Sequence, residues 1–237
     1  MGFACYLAMT AAEIHKNHPL PPQLAYMACH FSPYGAGLTN CPEALPRDSV
    51  LILNDLIPPL NQDPEIIRQQ LVDLVQAFSC AAVLLDFQRP GDKHTAAIAA
   101  ALAEDLPCPV VISSEYGKNS DCAVLLPPVP PDVPLEVYLC PWQNRPIWLE
   151  LSNSALQYCV TAQGSQANPV PTLPESGHRD EKLHCHYHIE TRDDRISFTL
   201  FRTAEDHTAL LREARRMGVQ GAIGLWQEFP QTFLPGK

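Results

Sequence analysis

The segment Asp63–Pro90 constrains the fold more than any other part of the chain. Residues Asp63–Phe78 place Ile66, Ile67, Leu71, Leu74, Val75 and Phe78 at helical spacing, with Pro64 at a first-turn position that needs no N–H. Directly after it, Ala81–Pro90 (AAVLLDFQRP) reads as a buried strand, apolar first and polar where the strand should end. A helix feeding straight into an apolar strand is the unit of a parallel α/β fold. The same beat recurs along the chain. Gly2–Met9 and Gln23–Phe31 read as the first two strands, the second ending in His30, Ser32 and Tyr34. Ser49–Leu53 is a third, ending at Asn54 and Asp55, and the helix His94–Glu104 follows the strand within Ala81–Pro90. Pro109–Ser113 ends near Glu115 and Tyr116, and Ala123–Leu126 gives a further strand. At the far end the helix Ala204–Met217 stops at Gly218, a glycine in the C-cap region, and Gly221–Trp226 closes the series.

Between these regular parts the alternation fails. The run PIWLELSNSALQYCVTAQG predicts two adjacent antiparallel strands joined at Asn153–Ser154, a hairpin standing where a helix would otherwise be. Leu183–Glu190 and Ile196–Phe201 read as strands joined by a turn at Asp193–Asp194. The 24 prolines cluster at Pro19–Pro22, Pro127–Pro134 and Pro169–Pro174, and Gly164–Arg179 is expected to be a mobile loop. The organisation predicted is one domain over residues 1–237 with an irregular insertion around 127–182.

With 237 residues and 46% hydrophobic composition the chain can bury a full core. Its net charge of −10, with basic residues dispersed, argues against nucleic acid as a partner, because phosphate neutralisation needs a basic face. No stretch approaches the roughly 20 apolar residues of a membrane span, and the apolar start lacks a basic region and a cleavage site. The nine cysteines include no Cys-x-x-Cys pair and several fall in strand-like runs. They imply a reducing, cytoplasmic setting without a disulfide framework. No Gly-x-Gly-x-x-Gly, P-loop or Gly-x-Ser-x-Gly pattern is present, so no cofactor is expected.

Ala81–Pro90 resembles the fourth-strand motif of glycoside hydrolase family 18, Asp-Gly-x-Asp-x-Asp-x-Glu followed by an aromatic residue and Pro. Asp86 keeps the third Asp, and Gln88 falls on the catalytic Glu. Ala81 and Leu84 replace the first two Asp positions, and Ala82 replaces the Gly. The tail HIETRDDRISF, a helix and then MGVQGAIGLWQEFPQTFL is similar to the end of the same barrels, above all in the spore-cortex and peptidoglycan-associated branch. The likeness runs over Ser49–Ser113 and Leu183–Leu234. It implies a compact (β/α)8 barrel of TIM type with one or two helices missing, and it suggests a spore or envelope setting. The family's chemistry is substrate-assisted: the Glu protonates the leaving oxygen while the neighbouring Asp steers the sugar's acetamide into attack. A Gln amide has no proton to give at any useful pKa.

Barrels of this kind bind ligands at the C-terminal strand ends, which selects Asn54, Asp55, Asp86, Gln88, Glu115, Tyr116, Trp226, Gln227 and Glu228. Asp86 and Gln88 should face one way, to contact a sugar or, as the ordinary alternative, to bond one another. The resemblance makes Trp226 the apolar floor beneath a bound sugar; core packing is the alternative. Glu115 is a candidate replacement acid, against a solvated loop carboxylate beside Lys118. His184, His186 and His188 would share one strand face with Glu190, spaced about 7 Å apart, so two of them reach one metal ion; a polar edge accounts for them better. Two functional readings follow. One is a barrel without catalysis that binds an N-acetylhexosamine glycan (a chitooligosaccharide or peptidoglycan fragment) or serves as a scaffold for a protein the sequence does not identify. The other is an active glycosidase with its acid relocated to Glu115 or Glu228.

Overall fold

A computed structural model describes residues 3–60, 62–118, 120–161, 164–170, 172–192 and 195–229. In order the chain forms β1 (Ala4–Met9), α1 (Ala11–Lys16), β2 (Leu24–Phe31), β3 (Leu38–Thr39), β4 (Val50–Asn54), α2 (Pro64–Phe78), β5 (Ala82–Asp86) and α3 (Lys93–Asp105). There follow β6 (Val110–Ser113), α4 (Ser114–Gly117), β7 (Ala123–Leu126), α5 (Leu135–Leu139) and β8 (Ile147–Leu151). The remainder is β9 (Ala155–Thr161), β10 (Gly164–Val170), β11 (His178–Asp180), β12 (Cys185–Arg192), β13 (Arg195–Phe201), α6 (Ala204–Arg216) and β14 (Gly221–Leu225).

Eight of these strands pair in parallel in the order β1-β14-β8-β7-β6-β5-β4-β2, and β2 returns to β1 through Leu7 opposite Leu24, which closes the ring. This is the predicted TIM-type barrel. Its outer layer is uneven. Helices α2, α3 and α6 have 13 to 15 residues, whereas α1, α4 and α5 have four to six. Only β3, antiparallel to β2, lies between β2 and β4.

Local sequence sets the long helices. The Asp63 carboxylate accepts the Glu65 N–H at 2.9 Å, Pro64 occupies the first turn, and Ser79 ends α2 in the left-handed region at φ 52°. Ile67, Leu71 and Val75 then face the barrel and are buried. Removing Leu71 to Ala would cost about 2–5 kcal/mol. Helix α6 starts with a reciprocal cap between Thr203 and Asp206, and Gly218 follows it at φ 90°.

Alternation along the strands divides the core in two. One set of side chains packs outward under the helices. The other fills the barrel: Tyr6, Ala8, Ala25, Val50, Ile52, Ala82, Leu84, Val111, Leu125, Trp148 and Ile223. Tyr6 and Trp148 stack there with centroids 5.4 Å apart and planes 8° from parallel.

The insertion differs from the expected hairpin. Ile147–Leu151 is a barrel strand, parallel to β7 and β14, and not the partner of the strand that follows Asn153–Ser154. Inward-facing Trp148 and Glu150 alternate with apolar residues that pack outward, a pattern that fits either a barrel strand or a hairpin arm. Ala155–Thr161 instead opens a five-stranded antiparallel sheet in the order β10-β9-β13-β12-β11. Most of the predicted loop Gly164–Arg179 is ordered into this sheet. Gly164–Val170 pairs with β9 as an edge strand, where Pro169 is tolerated. The strands around the predicted turn pair as expected, from His186 opposite Phe201 to Arg192 opposite Arg195, while Asp193–Asp194 themselves lie outside the described residues. So does the end of the resemblance, beyond Phe229.

Buried Arg202 ties this sheet back to the barrel. Its guanidinium donates to the carbonyls of His184 at 3.1 Å, Val129 at 2.5 Å and Pro130 at 3.2 Å. No helix among the described residues is long and apolar enough to cross a membrane.

Candidate functional site

A cavity of about 740 Å³ opens at the C-terminal ends of the barrel strands. Its floor is the upper layer of the barrel interior: Ala8, Ile52, Leu84, Leu125 and Ile223. Its wall carries the polar groups His30, Asn40, Asn54, Asp55, Asp86, Gln88 and Glu150.

Asp86 and Gln88 both face this cavity while Phe87 between them is fully buried, packing on Phe31 at 5.5 Å and edge-on to Tyr116 at 6.2 Å. The alternation expected at the end of β5 is present. The Gln88 amide donates to Asp86 at 2.9 Å. Burial pushes the Asp86 carboxyl above its ordinary range, with the nearby Asp55 charge adding to the rise and the Gln88 bond opposing it.

Asn54 and Asp55 also reach the cavity, but most of their polar capacity goes into the frame. Asn54 donates to the Met27 carbonyl at 3.1 Å and accepts from the Leu56 N–H at 3.1 Å. The two Asp55 oxygens accept the backbone N–H groups of Gln88 at 3.1 Å and Arg89 at 3.0 Å. Arg89 in turn donates to the carbonyls of Asp55 at 2.9 Å and Leu56 at 2.8 Å. Asp55 therefore holds the loop that presents Gln88. Tyr116 acts on the same loop from behind, its hydroxyl donating to the Arg89 carbonyl.

The other residues singled out by sequence lie elsewhere. Glu115 is exposed on α4 and does not line the cavity. Trp226 packs against the outer core layer under α5 and α6. The Glu228 carboxylate accepts the Asn153 N–H at 2.7 Å, and Gln227 donates to Glu13 at 2.6 Å. His186 bonds Asp206 at 2.7 Å and His188 bonds the Ser176 carbonyl at 3.1 Å, whereas His184 precedes β12 at φ 48°. No group of three metal-binding side chains converges among the described residues.

Among the cavity's carboxylates, Glu150 is the one the sequence reading does not single out. Glu150, the penultimate residue of β8, points into the barrel mouth. Its carboxyl makes no hydrogen bond or ion pair with a described residue. Desolvation, reinforced by the charges of Asp86 and Glu228, pushes its pKa up to about 7. A carboxylic acid that still holds its proton near neutral pH can donate it, or can donate a hydrogen bond to a ligand. The signal was a single Glu in an otherwise apolar strand, concealed by reading that strand as half of a hairpin. His30 and Asn40 complete the rim: His30 Nδ1 meets the Phe31 carbonyl at 2.9 Å, and its Nε2 meets the Asn40 amide at 2.9 Å.

No family model matches the chain, and neither does any curated protein sequence. Solved structures do. The spore cortex-lytic enzyme SleL of Bacillus megaterium superposes with a TM-score of 0.56 at 12% identity, over 98% of this chain and 72% of that one. A chitinase from Chromobacterium violaceum gives 0.58 at 12% identity, over 98% and 97%. A doubly substituted mutant of a family 18 chitinase from Cycas revoluta, solved in complex with (GlcNAc)4, gives 0.58 at 10% identity, over 94% of each chain. At these identities the likeness is one of architecture: this chain has the barrel of the glycoside hydrolase family 18 chitinases and of SleL, with a reduced outer helical layer.

Proposed function

We propose that the barrel mouth binds an N-acetylhexosamine-containing saccharide, of the chitooligosaccharide or peptidoglycan-fragment type, without the hydrolytic chemistry of the family motif. The observation that carries this reading is the 740 Å³ cavity at the C-terminal strand ends, apolar below and ringed by Asp86, Gln88, Asn54 and Glu150. An aliphatic floor suits the C–H face of a pyranose, and the ring offers donors and acceptors for hydroxyl and acetamide groups. Similarity to barrels that are chitinases, one of them with bound (GlcNAc)4, supports the same ligand class. The nine unpaired cysteines favour a reducing compartment as the place where it acts.

Calorimetry of chitooligosaccharides and muropeptide fragments tests the reading, with Asp86→Ala and the cavity-filling Ile223→Trp beside the wild type. Binding to the wild type that weakens tenfold or more in both variants is expected. No heat from the wild type at about millimolar ligand would sink it and leave the barrel as a scaffold.

Glu150 favours a second reading, hydrolysis by a relocated acid. Glu115 and Glu228 fit that role less well, since one is exposed outside the cavity and the other is bonded to Asn153. A fluorogenic chitobioside hydrolysed by the wild type but not by Glu150→Gln would support it. Equal rates in the two proteins would eliminate it.

A further inference from the structure

Two sulfur atoms face one another beside the rim of the barrel mouth. Cys29 lies on β2 and is fully buried, while Cys41 follows β3 and is half-buried, and their Sγ atoms are 3.9 Å apart. The segment carrying Cys41 is held against β2 by other bonds. The Tyr26 hydroxyl donates to the Asn40 carbonyl at 2.7 Å, and β3 pairs with His30 and Phe31. Neither thiol therefore depends on chance encounter for its partner.

We propose that Cys29 and Cys41 form a dithiol–disulfide couple, with Cys41 as the attacking sulfur and Cys29 as the resolving one, oxidised by a low-molecular-weight disulfide of the glutathione type. The thiolate of Cys41 attacks the oxidant's disulfide, forming a mixed disulfide and releasing one small thiolate. Cys29 then loses its proton and attacks the Cys41 sulfur, which expels the second small thiolate. Two protein thiols are oxidised to one disulfide, and one small disulfide is reduced to two thiols. The sulfurs must close from 3.9 Å to about 2.05 Å, a movement that falls on the Cys41 side because Cys29 is fixed in the β2–β4 pairing opposite Leu53.

The electrostatics agree with this order of events. A hydrogen bond from Cys29 lowers the Cys41 thiol to about 7, while the same bond and burial push Cys29 well above its ordinary value. An attacking thiol is most effective when its pKa lies near ambient pH. Burial has the opposite effect on Cys5, raised to about 12, and on Cys80, Cys108 and Cys185, each raised to about 11. Cys140 is exposed and acts as the competing surface thiol.

Asn40 and His30, the chain neighbours of these cysteines, both line the cavity, so closing the pair would fix that part of its rim. This consequence rests on the saccharide reading; the thiol chemistry does not.

The test treats the native full-length protein, in a Cys140→Ser background, with glutathione disulfide, followed by tryptic mass mapping. Both cysteines fall on one tryptic peptide, residues 17–47, because no Lys or Arg separates them. That peptide is expected to lose the mass of two hydrogens before any other cysteine reacts. In Cys29→Ser, or in Cys29→Ala should the serine variant fold poorly, Cys41 is expected to keep a stable glutathione adduct. A stable adduct on Cys41 in the Cys29-containing protein, or slower reaction there than at Cys108 or Cys122, would overturn the proposal. Saccharide affinity of the reduced and oxidised forms is measured separately, so a failure of the saccharide reading leaves the mass result intact.

Discussion

The side-chain amide of Gln88 donates to Asp86 across 2.9 Å, so the two polar residues at the end of β5 hold one another while facing the cavity. Gln88→Glu would turn that attraction into repulsion beside a carboxyl whose proton affinity is already raised by burial. Because Gln88 is exposed, the cost at pH 8 should be modest, about 1 kcal/mol, and should be smaller at pH 5, where protonation of the pair is more favoured. Urea unfolding at the two pH values measures it. A variant as stable as wild type at pH 8 would show that the amide bond does not form.

Glu150 gives a pH dependence of defined sign. Its folded pKa of about 7 lies above the unfolded value of about 4.3, so folding favours the protonated acid. The stability linked to it is complete below pH 4.3 and is lost as pH rises through 7, by at most about 4 kcal/mol. Glu150→Gln should flatten the unfolding free energy between pH 5 and pH 8. Parallel curves for the two proteins would place the Glu150 titration elsewhere.

The opposite sign applies to Asp206, which is fully buried and caps α6. Burial alone would raise its carboxyl, yet bonds from Thr203 and His186 outweigh it and hold the value below the ordinary range. Its contribution is present above about pH 3.9 and is lost as pH falls through the lowered folded value. Asp206→Ala should cost about 3 kcal/mol at pH 7, because it removes a helix cap and leaves His186 without its partner. Thermal melts at pH 7 and pH 3 should show the difference between variant and wild type shrinking on acidification.

Inside the barrel, Trp148 fills volume that no neighbour can supply. Trp148→Ala should destabilise by about 3–5 kcal/mol. Gly221→Ala acts on the same ring, since a Cβ there would lie 2.8 Å from Trp148 Cε2 and 2.9 Å from Cδ2. About 1–3 kcal/mol is expected, and denaturant midpoints for both variants measure these effects. Near-additive costs in the double variant would indicate that the ring and Gly221 are not in contact.

The barrel was legible because its strands and long helices carry separate periodicities; Asp63–Pro90 alone defines one strand–helix unit, and Gly218 marks the end of another. Asp86 and Gln88 followed from strand alternation. Glu150 did not, because β8 lies beside a chain excursion whose strands also alternate, and sequence does not say which strand pairs with which. Trp226 was assigned by position in a motif, whereas its orientation depends on the turn after β14 and on the packing of α6. Asp55 and Tyr116 belong to the loop frame for a similar reason: their partners at Gln88 and Arg89 are some 30 residues distant along the chain.

The stacked rings of Tyr6 and Trp148 sit below the floor of the cavity, with Gly221 allowing the indole its place. Together with Val50, Ala82 and Val111 they fill the barrel interior, so the mouth is a cup and not a tunnel. A long polymer cannot be threaded through such a shape. Whatever enters must lie across the opening or present an end to it, and must leave by the way it came. Discrimination would then rest on what protrudes into the cup from a strand lying outside it, a side group or a chain terminus, and not on the length of the polymer.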